Sequence, residues 1–165
     1  MKWYFNSPER VNTLREASKF WIGTPFFPHG RKPGVTGGCS CETLVLGVYV
    51  DSLFLSYYFK IPTGSISWAH ANKESIISNF LDNEARDYFL PIHNIELSNL
   101  MDGDLLGFEV GGCVHHLGIL VEKPKFIHCL QRYGVQYNDI TDATYLARLK
   151  KVWRPIEEEY VQHEK

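Results

Sequence analysis

The first regular rhythm of apolar and polar positions lies between Ser7 and Ile22. There Val11, Leu14, Phe20 and Trp21 recur on or near one helical face. That period predicts a helix over 7–22. Ser7 suits its cap, Pro8 its first turn and Gly23 its end. Residues 23–40, GTPFFPHGRKPGVTGGCS, break the rhythm with Gly and Pro and read as a long loop. Long loops in compact domains are usually functional. A second apolar run opens at Cys41, CETLVLGVYVDSLFLSYYF. It is too long for one strand and apolar on most sides, which predicts a central, buried helix. A turn at 58–64 around Pro62 and Gly64 follows. After it comes a helix over 66–80 with Trp68, Ile76 and Phe80 facing inward.

The pattern then shortens. GDLLGFEV (103–110), VHHLGILV (114–121) and KFIHCLQ (125–131) are apolar or alternating runs separated by Gly, Pro and Lys. They predict consecutive strands of an antiparallel sheet, with VWRPI (152–156) as one more short strand or edge. Helices first and strands after is the α+β order. No repeat, low-complexity tract or linker divides the chain, so one domain over 1–165 is expected.

Composition changes this picture little. Of the 165 residues, 44% are hydrophobic and 22% charged, with a formal net charge of −2. That is the balance of an ordinary globular domain. No cluster of Lys and Arg offers a footprint for nucleic acid or an anionic membrane. MKWYFNSPER has no apolar stretch of signal-peptide length, and no segment is long enough to span a bilayer. The expectation is a chain that stays in the cytoplasm where it is made, unless a phage particle or lysis carries it out. The four cysteines, Cys39, Cys41, Cys113 and Cys129, are then expected to be free thiols.

Chemistry concentrates at Cys41 and on the strands. A cysteine at a helix start meets partial positive charge and unpaired N–H groups, which favour a thiolate and can bind an oxyanion. Gly37 and Gly38 let the preceding loop approach closely. An inert buried cysteine is the competing reading. Side chains alternate along a strand, so His116, Gly118 and Leu120 share one face, and Phe126, His128 and Leu130 share one face of the next. A hairpin through EKP would set His116 beside His128, and Gly118 would leave room there for another element. A nucleophile needs a base and the base an orienting group. Cys41, His116 and His128 can fill those roles; ordinary core histidines are the alternative.

Cys39, Cys41, Cys113, His115, His116, His128 and Cys129 are also metal-ligand types. The chain lacks a Cys-x-x-Cys knuckle and a His-Glu-x-x-His helix, so no metal and no cofactor is expected. A zinc-stabilised interaction module stays open as a minor reading. GVTGGCSCET lacks the lysine of a phosphate loop, and no Gly-x-Ser-x-Gly elbow occurs. Glu157, Glu158 and Glu159 read as a solvated tail, and His29 as a solvated loop residue.

Four segments together resemble the NlpC-type, papain-like cell-wall cysteine peptidases, in particular their short phage-encoded branch. They are FWIGTPF (20–26), GGCSCETLVLGVY (37–49), GDLLGF (103–108) and HLGILVEKPKFIH (116–128). The resemblance implies the papain-like NlpC fold, with the nucleophile helix packed on a central antiparallel sheet. It places the nucleophile on Cys41, the base on His116 and the orienting residue on His128. It implies hydrolysis of amide bonds in peptidoglycan stem peptides, with phage tail proteins as further partners. Phe26 stands at the family's Tyr after Thr-Pro, a position that shapes the active site. Ser40 stands at its Asp before the cysteine, and Glu42-Thr43 at its Ser-Gly after it. Phe26, Ser40 and Glu42 are therefore candidates for contact with substrate. The same departures motivate an alternative: a catalytically inactive member of the fold that binds a tail or cell-wall partner.

Overall fold

The computed structural model describes residues 2–62 and 75–157. The short runs of the second half come together because a strand with one apolar face must bury it against another layer. Two-residue strands β1 (Arg31–Lys32) and β2 (Gly38–Cys39) form a small separate hairpin. The main sheet holds β3 (Phe89–Pro91), β4 (Leu105–Val110), β5 (Cys113–Glu122), β6 (Lys125–Leu130), β7 (Gly134–Asp139) and β8 (Leu149–Pro155). They lie in the order β3-β8-β4-β5-β6-β7, each pair antiparallel. The three predicted strands are present. VWRPI belongs to β8, which lies inside the sheet between β3 and β4 rather than at its edge. β7 was not anticipated.

Helices cover one face. α1 (Pro8–Trp21) is capped by Ser7, whose side chain accepts from the Arg10 N–H, and Gly23 ends it at φ +83°. Leu14, Ala17, Ser18 and Trp21 are its buried residues, at helical spacing. Phe20, expected among them, is exposed, because it falls about 100° from Trp21 around the helix. α2 (Cys41–Asp51) buries every residue from Leu44 to Tyr49, as a central helix must. Burying a leucine such as Leu44 is worth about 2 kcal/mol. α2 stops well short of Phe59. Leu53 turns to φ +67°, and the N–H groups of Phe54 and Leu55 both fold back onto Tyr49 O. That reversal inserts Phe54 among Tyr4, Phe5, Tyr49 and Phe89. α3 (Ile76–Asn83) overlaps the end of the third expected helix and runs beyond it, with Ile77 and Leu81 buried. Ile76 and Phe80, expected to face inward, are only partly buried. Trp68, Gly64, Glu158 and Glu159 lie outside the described residues.

Leu105, Leu117, Ile119, Val121, Ile127, Cys129, Val135 and Trp153 face the helices. The opposite face carries a second core of Leu100, Leu106, Phe108, Leu120, Phe126, Ile140, Leu149 and Val152. The short α4 (Ala143–Arg148) covers it in part through Tyr145. No helix among the described residues is long and apolar enough to cross a membrane.

Candidate active site

The site begins with a parting of strands. β5 and β6 pair from Glu122↔Lys125 to Gly118↔His128. Beyond His128, β6 goes on pairing with β7 as far as Leu130↔Gly134. On the side away from β4, the register of β5 with β6 ends at Gly118, and the start of α2 fills the opening. On the β6 side, Cys129 Sγ donates to Cys39 O at 3.3 Å. On the β5 side, Cys41 Sγ donates to His115 O at 3.6 Å and receives the Leu117 N–H. The thiol thus sits against the backbone on either side of His116.

The loop before α2 is built to deliver Cys41 there. Gly23 N donates to Val135 O, and Val135 N to Thr24 O, which tie the end of α1 to β7. Cys39 N donates to Pro25 O and Phe27 N to Cys39 O, so the segment Pro25–Phe27 grips Cys39. A Cβ at Gly37 would strike the Lys32 carbonyl, and one at Gly38 the Phe27 side chain, so the predicted close approach is real. The Trp-Ile-Gly-Thr-Pro-Phe motif is in this sense a bracket for the loop that leads into Cys41.

Ser40 caps α2. Its Oγ accepts from Thr43 N at 3.4 Å, while Thr43 Oγ1 accepts from Ser40 N at 2.8 Å, closing a capping box. Ser40 Oγ also donates to Glu42 Oε2 at 3.0 Å. Ser40 is buried and engaged in the cap, Glu42 is half-buried in the first turn, and Phe26 is half-buried against the core behind the loop. Phe26 bridges to Cys39, so it supports the loop from behind.

His116 and His128 meet as the strand faces predict. His116 Nε2 lies 2.9 Å from His128 Nδ1. The space over Gly118 is taken by the Phe126 ring and His128 Cβ, not by a helix end. His128 Nε2 lies 2.8 Å from Asn138 Oδ1, and Gln136 Nε2 donates to that same oxygen at 2.6 Å. Phe126 and Tyr145 pack on the His128 ring, with centroids 4.6 and 5.3 Å away, and Phe108 packs on His116 at 5.8 Å. Asn138, Gln136 and Tyr145 escaped the sequence reading. The signal was present: GVQYND alternates, which puts Gln136 and Asn138 on one face of a strand.

Burial lowers His116 to about 3, and its electrostatic interactions with His128, His115 and Arg148 act in the same direction. Burial also lowers His128, against the Asn138 hydrogen bond, which raises it. The Cys41 thiol is pushed well above its ordinary value, first by burial and then by the Glu42 carboxylate. The expected thiolate preference at the helix start is overridden. His29 lies exposed in the loop, at φ +58°. All four cysteines are free thiols. Among the described residues no three His, Cys, Asp or Glu side chains gather as a metal site would require.

A family model described as the NlpC/P60 family matches residues 47–154. The match contains His116 and His128 and begins after Cys41. A Haemophilus influenzae protein named "Probable endopeptidase" is 23% identical over 135 residues, covering 80% of this chain and 66% of its own length. Among solved structures, an NLP/P60-family protein from Staphylococcus aureus, described as similar to lipoprotein, superposes with a TM-score of 0.60 at 20% identity. It covers 92% of this chain and 43% of its own. The NlpC/p60 domain of the peptidoglycan hydrolase SagA superposes with a TM-score of 0.53 at 17% identity, covering 86% of this chain and 96% of that domain. The α+β fold with a helix on an antiparallel sheet is shared with these structures. The chain spans just under two thirds of the Haemophilus protein and less than half of the staphylococcal one.

Proposed function

The chain belongs to the NlpC/P60 family, and we propose that it is a cysteine hydrolase cleaving amide bonds in peptidoglycan stem peptides. The observation that carries this reading is the placement of the Cys41 thiol against the backbone flanking His116, whose ring nitrogen is engaged by His128. Peptidoglycan as substrate is supported by the kinship with SagA, described as a peptidoglycan hydrolase. His116 takes the Cys41 proton as Sγ bonds to the scissile carbonyl carbon. The first N–H groups of α2 lie outside its hydrogen-bond ladder and face the resulting oxyanion. The C–N bond then breaks, and the amine leaves with the proton from His116. Water attacks the thioester, with His116 again as base, and frees the carboxylic acid and the thiol. The phage-encoded branch, and with it tail proteins as partners, is part of this proposal and rests on the sequence resemblance alone.

Digestion of purified peptidoglycan by wild type and Cys41→Ala, with products read by mass spectrometry, tests the reading. New amino and carboxyl termini with wild type alone are the expected result. Identical digests from both proteins would sink it. The raised Cys41 thiol and the adjoining Glu42 carboxylate favour a second reading, a non-catalytic member that binds the cell wall. Saturable binding to sacculi without any cleavage by wild type is its signature.

A further inference from the structure

Two imidazoles facing each other share one proton, and the pair alone does not say which ring donates it. A neutral imidazole has one N–H and one lone pair. His116 and His128 can be arranged in two ways. If His128 Nδ1 carries the proton, His116 Nε2 accepts it. His116 Nδ1 is then protonated and has no lone pair for a thiol proton. If His116 Nε2 donates, His116 Nδ1 is a base. The choice belongs to whatever sits on the far side of His128.

We propose that Asn138, held by Gln136, is the positioning residue that makes this choice. The role rests on the assignment of His116 as the base. His128 is fully buried, and a buried polar ring needs partners on both nitrogens. Its Nε2 faces Asn138 Oδ1 at 2.8 Å, and an amide oxygen only accepts. The Gln136 amide donates to the same oxygen at 2.6 Å, which fixes the Asn138 amide with its oxygen toward His128. His128 Nε2 therefore carries the proton and its Nδ1 the lone pair. That lone pair accepts from His116 Nε2–H at 2.9 Å, which leaves the lone pair of His116 on Nδ1. The strand register supports the chain: Gln136 is paired with His128, and Asn138 with Phe126. Phe126 and Tyr145 pack on the fully buried His128 ring, while Asn138 and Gln136 are half-buried.

The test uses the full chain labelled with 15N, whose long-range 1H–15N spectra report which ring nitrogen is protonated. Wild type is expected to show His116 and His128 both protonated on Nε2. Asn138→Leu keeps the bulk and removes the acceptor. His128 should then lose its Nε2–H preference, and kcat on peptidoglycan fragments should fall on the order of 10²-fold with KM unchanged. Asn138→Asp restores an acceptor and should restore both tautomer and kcat, which a merely structural role would not do. Should Asn138→Leu fail to fold, the wild-type and Asn138→Asp spectra decide alone. His128 protonated on Nδ1 in wild type, or an unaltered tautomer in folded Asn138→Leu, overturns the proposal. The spectra need no turnover. A protein that shows these tautomers yet digests alike as wild type and Cys41→Ala supports the relay and overturns the hydrolase. One that cleaves through Cys41 with His128 protonated on Nδ1 does the reverse.

Discussion

Ser40→Asp restores the residue that the family resemblance places before the nucleophile, and the structure predicts that it destabilises this chain. Asp and Ser cap helices about equally well, so the cap itself is nearly neutral to the change. The difference lies at Glu42. Ser40 Oγ donates a proton to Glu42 Oε2 at 3.0 Å. An aspartate has no such proton and puts a second negative charge beside the first. Two unit charges 4 Å apart repel by about 4 kcal/mol at an effective dielectric of 20. Glu42 is half-buried, and solvent screening reduces the net penalty to about 1–2 kcal/mol. For a domain this size that lowers the melting temperature by about 2–8 °C. Thermal unfolding at pH 7 of wild type, Ser40→Asp, Glu42→Gln and the double variant measures the coupling. Glu42→Gln should rescue Ser40→Asp. Ser40→Asp as stable as wild type at pH 7, or a penalty that survives Glu42→Gln, refutes the reasoning.

The raised Cys41 thiol predicts iodoacetamide alkylation at pH 7 slower than that of a free model thiol, and faster in Glu42→Gln than in wild type; mass spectrometry of the labelled peptide checks both. Gly47→Ala should lower the melting temperature. Its Cβ would run into the Trp21 ring, which Asp51 holds by a 2.8 Å hydrogen bond, so overpacking of about 3 kcal/mol exceeds the helix-propensity gain of about 1 kcal/mol. His116 is lowered from 6.5 to about 3 in the folded chain, so as pH falls through that window the unfolded chain takes up a proton that the folded chain refuses. Stability should drop between those two values, and melting curves of His116→Gln should show a shallower drop; identical slopes would count against a neutral, buried His116.

What was legible in the sequence follows from which signals are local. Period and caps predicted α1 to within a residue at each end, and alternation predicted β4, β5 and β6. The adjacency of His116 and His128 was legible because one hairpin carries it. α2 was over-extended because Leu53 to Phe59 are as apolar as the helix before them. Phe54, Leu55 and Phe59 pack back on the core instead of continuing the helix, while Leu53, Tyr57 and Tyr58 are exposed, and the left-handed turn at Leu53 sets this reversal. β7 went unread because one of its faces is polar: Gln136 and Asn138 look like turn residues until His128 is seen beside them. The parting of β5 and β6 is not local at all. It depends on α2 arriving from far earlier in the chain to occupy the gap.

That parting also decides the charge state in which the site waits. A helix N-terminus stabilises a nearby anion by about 0.3–1 kcal/mol, and up to about 2 in favourable geometry. Withdrawing an anion from water costs several kcal/mol. Within the opening the second effect wins, and Glu42 adds to it, so Cys41 rests as a thiol. His116 rests neutral for the same reason. In the proposed mechanism a thiolate–imidazolium pair is then not stored in the resting site; it forms as the thiol is engaged by an acyl group. At that moment a positive charge develops on His116, in a place that disfavours it. The groups aimed at that charge are the lone pair of His128 Nδ1 and, through the ring, the Asn138 oxygen. The relay therefore matters more here than in a site with a preformed ion pair. Its removal should depress the acylation step while leaving the alkylation of resting Cys41 at neutral pH nearly unchanged, because at rest there is no charge for it to stabilise.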